Sequence, residues 1–198
     1  MDDDVNFRKV FLMTMIISLS ISALIGIIIF LIGEFGDIEA RILFTTLTIG
    51  GFSLTALCSS ALQEKHRFAA FAKTGMAISV LGFIMTTLAI WEILDSENIW
   101  KVIVIIIILS ASVAHISLLL LIRSKKTNVN VSLMLTLLFI LIVAIMLIIL
   151  VLGDFNMDFE FYYRLLGVFA ILDVLGTIVT PILKKVSSMN MPSNVQNM

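Results

Sequence analysis

The stretch "VIVIIIILSASVAHISLLLLI", residues 102–122, carries no charged side chain between Lys101 and Arg123. At about 1.5 Å of rise per residue, a helix of this length extends about 30 Å, which is the thickness of the hydrocarbon core of a bilayer. The stretch lacks the alternation of polar and apolar residues that a transmembrane β-strand requires. It therefore predicts a transmembrane α-helix.

Five more apolar runs of similar length separate the charged residues of the chain. Because lipid offers no partner to an unpaired backbone group, each run is expected to form a helix. The sequence predicts an all-α integral membrane protein with six transmembrane helices, at about residues 10–33, 41–63, 72–92, 100–122, 130–153 and 163–183. We expect one domain over residues 1–186 and a polar, disordered C-terminal tail over residues 187–198.

Composition excludes a soluble domain. Hydrophobic residues make up 60% of the chain and charged residues 14%, and the mean hydropathy is +1.14. Soluble domains are nearer half apolar and about a quarter charged. The single cysteine, Cys58, excludes an intrachain disulfide and a cysteine-based metal motif.

The basic residues predict an orientation. Most of them fall on the side of the membrane that holds both predicted termini, and the three exceptions are Arg41, Lys101 and Arg164. The positive-inside rule then predicts that both termini are cytoplasmic. The expected location is the cytoplasmic membrane of a prokaryote, as a multi-pass protein.

Three turns on the opposite side share one pattern. They read "GEFGDIEARIL" (33–43), "WEILDSENIWKVI" (91–103) and "GDFNMDFEFYYRLL" (153–166), each with an acid, then D-x-E, then a lone basic residue. One interpretation is a parallel triplicated repeat of three antiparallel hairpins, with helices 1 and 2, 3 and 4, and 5 and 6 paired. The alternative is chance combined with the positive-inside rule.

The acids of these turns have a structural and a functional interpretation. Each D-x-E precedes a helix, where carboxylates cap free N–H groups and complement the helix dipole. A divalent-cation site would need a fuller set of oxygen ligands, so no metal site is predicted. Arg41, Lys101 and Arg164 are expected to reach outward and form structural ion pairs with carboxylates of their own turns.

Asp173 is the one acid predicted near the middle of a span. It lies nine residues after Arg164, which places it about 13 Å below the boundary. A charged Asp at that depth costs about 2.5–3.5 kcal/mol on insertion scales, so it must be protonated, paired or hydrated. It is either a proton or cation site or a neutral side chain that hydrogen-bonds between helices.

Three residues complete the candidate intramembrane site. Depth counting places Ser110 level with Asp173, and Thr177 follows Asp173 by one turn on the same helix face. His115 lies about 8 Å deeper along the axis, so a proton relay would need a tilt or a bridging water. The alternative for His115 is a hydrogen-bonded structural histidine.

Small residues at helical spacing predict close packing. In helix 3 the stripe is Ala72, Gly75, Ser79, Gly82 and Thr86. In helix 2 it is Thr45, Thr48, Gly51, Thr55 and Ser59. Helix 5 has few small residues and is predicted to be the most lipid-exposed element.

The sequence contains no G-x-S-x-G, H-E-x-x-H, C-x-x-C or phosphate-binding glycine loop. We therefore expect no enzyme activity, no catalytic residues, no cofactor and no nucleic-acid partner. The expected surroundings are the lipid bilayer and a membrane-protein partner or a homo-oligomer. Two functions remain: a nonenzymatic accessory, assembly or scaffold component, or a small transporter or channel for protons or cations that uses Asp173.

Overall fold

The computed structural model describes residues 2–32, 36–63, 68–94, 96–122, 127–153 and 159–189. These residues form six helices, and all six are long and apolar enough to cross a membrane. The helices are α1 (Asp2–Ile32), α2 (Asp37–Ala61), α3 (Ala69–Ile90), α4 (Glu97–Leu121), α5 (Thr127–Leu152) and α6 (Phe159–Met189). The predicted all-α architecture with six spans is confirmed at this level.

Each helix begins before its predicted span, because a helix continues into the headgroup layer where polar residues are tolerated. At the other end of the chain, α6 runs through Pro181 to Met189, so residues 187–189 of the predicted tail are helical. Residues 190–198 lie outside the described residues. The chain divides into two compact units, Met1–Ser117 and Leu118–Met198, and the single domain over residues 1–186 stays a prediction.

In the first unit, α1 packs on α2. The Ser18 hydroxyl donates to the carbonyl oxygen of Thr46, and the Ser22 hydroxyl donates to Thr46 Oγ1 over 2.5 Å. A Cβ on Gly50 would lie 2.9 Å from Leu19 Cδ2. The two helices therefore meet where small and hydroxyl side chains allow close approach.

Glycines of α3 set its distance from α2 and α4. A Cβ on Gly75 would lie 2.5 Å from Ser59 Oγ of α2 and 2.8 Å from Val113 Cγ1 of α4. Gly82 is similarly crowded by the ring of Phe52 and by Ile106. The residues that α3 buries are Ala72, Gly75, Ser79, Gly82, Thr86 and Ala89. The predicted stripe of helix 3 is confirmed.

The predicted stripe of α2 is only partly buried. Ser59 is buried, but Gly51 is exposed, and Phe52 and Ala56 are buried in its place. The reason is that α2 packs on α1 and on α3, so its buried face is wider than one stripe of small residues.

In the second unit, α5 packs on α6. Gly176 has no room for a Cβ because the side chain of Thr136 occupies that space. The hydroxyls of Ser132 and Thr180 are 3.0 Å apart, and the Tyr162 hydroxyl donates to the Met146 carbonyl over 2.5 Å. Hydroxyl groups therefore join α5 to α6, as they join α1 to α2.

The exposure expected for α5 is wrong. In the most apolar 18-residue stretch of α5, 22% of the residues are buried. The corresponding fraction is only 6% in α1 and in α6. The reason is that α5 packs through larger side chains, among them Val129, Leu133 and Ile140. Close packing needs a small residue on only one of the two helices. Here that residue is Gly176 of α6, so the few small residues of α5 do not imply that it faces lipid.

We predict that Gly75→Ala destabilises the protein by about 1–3 kcal/mol, the usual cost of overpacking a filled interface. Its Cβ would also lie 2.9 Å from Ser59 Cβ, an atom that cannot swing aside. Gly26→Ala is the matched control, since nothing lies within 4 Å of a Cβ there. Denaturant unfolding in mixed micelles measures both free energies, and equal values would contradict the close packing of α3.

Candidate functional site

Three hydroxyl groups from three helices meet inside the first unit. Thr55 Oγ1 of α2 lies 2.9 Å from Ser79 Oγ of α3, and Ser79 Oγ lies 3.1 Å from Ser110 Oγ of α4. The Ser110 hydroxyl closes the triangle by donating to Thr55 Oγ1 over 3.0 Å. Only 1% of Ser79 and 2% of Ser110 is exposed. We call Thr55, Ser79 and Ser110 the hydroxyl triad.

The hydroxyl triad contains more acceptor positions than protons. Ser79 Oγ also lies 2.9 Å from the Gly75 carbonyl, and Thr55 Oγ1 lies 3.0 Å from the Phe52 carbonyl. Each hydroxyl has one proton, so Thr55 and Ser79 divide theirs between a carbonyl of their own helix, as helical Ser and Thr commonly do, and a hydroxyl of the triad. The triad can therefore accept a hydrogen bond from a further donor.

A charged cleft lies at the end of the first unit where α2 begins. Arg41 Nη2 is 2.5 Å from Glu92 Oε1, which joins α2 to the turn after α3. The cleft has a volume of about 670 Å³. Its lining residues are Asp37, Ala40, Arg41, Phe44, Thr48, Thr86, Ala89, Ile90, Glu92 and Trp100. We call it the ion-pair cleft.

Glu92 occupies a backbone position that usually belongs to glycine. Its φ is 56°, in the left-handed region that a side chain disfavours. The Glu92 N–H donates to Ala89 O and the Ile93 N–H donates to Leu88 O, each over 3.0 Å, which is the Schellman pattern. After α5 the corresponding residue with positive φ is Gly153.

The charge of Glu92 follows from its contact with Arg41. The hydrogen bond from Arg41 and then its positive charge lower the pKa of Glu92 from the ordinary value of 4.5. Glu92 is therefore ionised at neutral pH, and the ion-pair cleft contains two acids, Asp37 and Glu92, beside one arginine.

The three predicted boundary ion pairs have different outcomes. Arg164 contacts Glu160 of its own turn at 2.5 Å, as expected. Arg41 contacts Glu92 of the next turn instead, because α2 and α3 are packed neighbours. Lys101 is half-buried in the first turns of α4. Of the acids of its own turn, Glu92 contacts Arg41, and Asp95 and Glu97 lie outside the described side chains.

A second cavity of the first unit lies beside the ion-pair cleft. It has a volume of about 360 Å³. Its lining residues are Leu47, Thr48, Gly51, Phe52, Thr55, Thr86, Ile107, Ser110 and Ala111. We call it the hydroxyl cavity, because two members of the hydroxyl triad line it. Thr48 and Thr86 line both spaces.

Thr86 contributes a buried hydroxyl group to the lining of both spaces. Only 9% of the residue is exposed, and its Oγ1 is shielded from solvent without a hydrogen-bond partner among the residues that the structure describes. A buried hydroxyl without a partner costs about 1–3 kcal/mol. A ligand with an oxygen or a nitrogen at this level would remove that cost.

The predicted residues of the intramembrane site fall into both units. Ser110 and His115 belong to the first, and the structure brings Ser110 to Thr55 and Ser79. Asp173 and Thr177 belong to the second. The association of Asp173 with Ser110 or His115 stays a prediction.

Within the second unit, Asp173 is half-buried on α6. The Thr177 hydroxyl donates to the backbone carbonyl of Asp173 over 2.9 Å, so this bond does not involve the carboxyl group. A cavity of about 440 Å³ between α5 and α6 is lined by Leu172 and Gly176 on the α6 side, among others, and not by Asp173.

Among the described ranges, no group of three His, Cys, Asp or Glu side chains is placed to hold a metal ion. The comparisons with known proteins also give no assignment. No protein-family model, curated protein or solved structure matches the chain.

Sequence reasoning missed the roles of Thr86 and Glu92. Thr55, Ser79 and Thr86 are recognisable in the sequence as members of small-residue stripes. Spacing alone does not show which of these three hydroxyls meet and which of them lacks a partner among the described residues. Glu92 was recognisable as a boundary acid. Its positive φ had no signal in the sequence, because glycine is the residue expected there.

We predict that the hydroxyls of Ser79 and Ser110 are energetically coupled. A double-mutant cycle with Ser79→Ala and Ser110→Ala should give about 0.6 kcal/mol and at most about 1.7 kcal/mol, the range of interhelical hydrogen bonds in membranes. The measurement is unfolding in mixed micelles. Ser112→Ala replaces Ser110→Ala in the control cycle, since its hydroxyl donates within α4 to Ile108 O over 2.7 Å. Similar coupling in both cycles would contradict the triad.

Proposed function

We propose that the protein is a nonenzymatic integral membrane component that acts as an accessory, assembly or scaffold element. It would bind a membrane-protein partner or a second copy of the chain through its transmembrane helices. The hydroxyl triad supports this proposal most directly. It engages polar side chains of α2, α3 and α4 in bonds between the helices.

The distribution of buried residues also supports a role in association. In the most apolar 18-residue stretches of α1 and α6, only 6% of the residues are buried. Both helices therefore have apolar faces that lipid or another helix can cover. Ser18 and Ser22 of α1 are already used by α2. The remaining apolar surface of α1 is therefore available for lateral contact.

We further propose that the six helices form three hairpins with both termini cytoplasmic, in the cytoplasmic membrane of a prokaryote. Packing of α1 on α2 and of α5 on α6 supports two of the hairpins. The approach of Val113 and Ile106 of α4 to glycines of α3 supports the third. The parallel repeat remains part of this proposal.

Reporter fusions at the two ends of the chain test the orientation. We expect that a periplasmic alkaline phosphatase reporter is inactive at either terminus, whereas a fluorescent protein that folds only in the cytoplasm is bright at both. A fusion in the 91–96 turn should give the opposite pattern. Activity of the phosphatase at one terminus would rule out an even number of crossings.

A second candidate is a small transporter or channel for protons or cations. It is favoured by the ion-pair cleft, which charged side chains line, and by the neighbouring hydroxyl cavity, which two members of the triad line. In this function Asp173, Ser110, Thr177 and His115 would bind the proton or cation. The accessory function is preferred because the triad bonds are made between helices and because Asp173 does not line the cavity between α5 and α6.

Asp173→Asn separates the two candidates. We expect the wild-type chain in proteoliposomes to dissipate an imposed pH gradient no faster than protein-free vesicles, as measured with an entrapped pH-sensitive dye. We expect Asp173→Asn to unfold at the same denaturant concentration and to remain in complexes larger than one 198-residue chain when extracted from native membranes. Wild-type flux that Asp173→Asn abolishes would establish transport instead.

A further inference from the structure

We propose that the ion-pair cleft and the hydroxyl cavity together bind one glycerophospholipid whose headgroup carries a phosphate and a primary ammonium. This site goes beyond the accessory function and does not depend on it. The two spaces are neighbours, because Thr48 and Thr86 line both of them. Their volumes, about 670 Å³ and about 360 Å³, lie in the usual range of small-molecule sites.

The charges of the ion-pair cleft match such a headgroup. Arg41 offers guanidinium donors to a phosphate, for which its planar fork is well suited. Asp37 and Glu92 lie beside it and attract an ammonium group, and the exposed ring of Trp100 can receive the cation on its face. Two acids and one base favour a zwitterion with an ammonium over a purely anionic headgroup.

The hydroxyl of Thr86 provides the second contact. It is shielded from solvent and lacks a partner among the described residues. Arg41 and Thr48 are seven residues apart on α2, which is about 10 Å along the axis. A phosphate bound beneath the guanidinium places the glycerol linkage at about this level, where one of its oxygens can accept a hydrogen bond from Thr86 once the threonine side chain rotates its hydroxyl toward the cleft.

The hydroxyl cavity accounts for the hydrocarbon chain. Apart from Thr48, Thr55, Thr86 and Ser110, its lining is glycine or apolar, and the cavity lies within the candidate spans. Hydrocarbon surrounds a span at this depth, so an acyl or isoprenoid chain is the occupant available there. Leu47, Phe52 and Ile107 would flank that chain.

The unfavourable backbone of Glu92 is consistent with this role. Glycine would fit the left-handed position after α3 with less strain, as Gly153 does after α5. Glycine would also remove the only carboxylate seen to contact Arg41 in the described part of the chain. Strained residues cluster at functional sites, and the side chain of Glu92 contacts the guanidinium and supplies one of the two acids.

Quenching of tryptophan fluorescence by brominated lipids tests the site. The chain has two tryptophans, so Trp91→Phe leaves Trp100 of the ion-pair cleft as the single reporter. This variant is reconstituted in phosphatidylcholine vesicles that contain increasing fractions of brominated phosphatidylethanolamine, phosphatidylglycerol or phosphatidylcholine. We expect a higher relative binding constant for phosphatidylethanolamine than for either of the others. Equal constants, or a preference for phosphatidylglycerol, would overturn the proposal.

Thr86→Val, added to the single-tryptophan chain, tests the second contact. We expect it to lower the binding constant for phosphatidylethanolamine roughly 2- to 10-fold, the effect of one lost hydrogen bond. Thr87→Val is the matched control, because the Thr87 hydroxyl also lacks a partner among the described residues but lines neither space. An equal change in both variants would overturn the assignment of Thr86.

A stability measurement separates lost binding from lost folding. In lipid-free detergent, Thr86→Val should unfold at a temperature no lower than the parent, since it removes an unpartnered buried hydroxyl. Adding phosphatidylethanolamine should then raise the melting temperature of the parent more than that of Thr86→Val. A lower melting temperature before lipid is added, together with equal lipid-induced shifts, would make Thr86 purely structural. The flux and complex-size measurements on Asp173→Asn are independent of either result.

Discussion

Hydrocarbon offers no hydrogen-bond partner, and this constraint governs every polar side chain inside the six spans. The chain meets it mainly by joining helices through hydroxyl groups. Thr55, Ser79 and Ser110 form a closed triangle, and Ser132 and Thr180 join α5 to α6. Glycines on the facing helices permit these short distances. Thr86 and Thr87 do not meet the constraint, because neither hydroxyl has a partner within the described residues.

The same constraint explains why the charged groups lie at helix ends and contact one another. Arg41 has the wrong sign for the start of a helix, where the macrodipole favours acids. Its contact with Glu92 offsets this by pairing the guanidinium with the turn after α3. Two helices are thereby joined at their ends as well as at the hydroxyl triad. The ion pair lines the ion-pair cleft, two members of the triad line the hydroxyl cavity, and Thr48 and Thr86 line both spaces.

The six spans could be predicted because their signal is one-dimensional: the distance from one charge to the next matches the thickness of a bilayer. The stripe of α3 could be predicted for a similar reason, since its small residues recur at helical spacing. The buried face of α2 could not, because α2 contacts two neighbours and periodicity reveals one face. The partner of Arg41 also required the fold, because Glu92 is far away in sequence and close only when α2 and α3 pack.

The position of Glu92 shows most clearly where sequence reasoning stops. Local rules place glycine at the left-handed residue after a helix, and Gly153 follows that rule. Glu92 does not, although the backbone N–H groups of Glu92 and Ile93 make the two Schellman bonds to Ala89 and Leu88. The exception has a physical cause only in three dimensions, where its carboxylate reaches Arg41. Glu92 therefore locates the ion-pair cleft by opposing its local backbone preference. Asp173 gives a weaker indication of a site, because its candidate partners on α4 belong to the other unit.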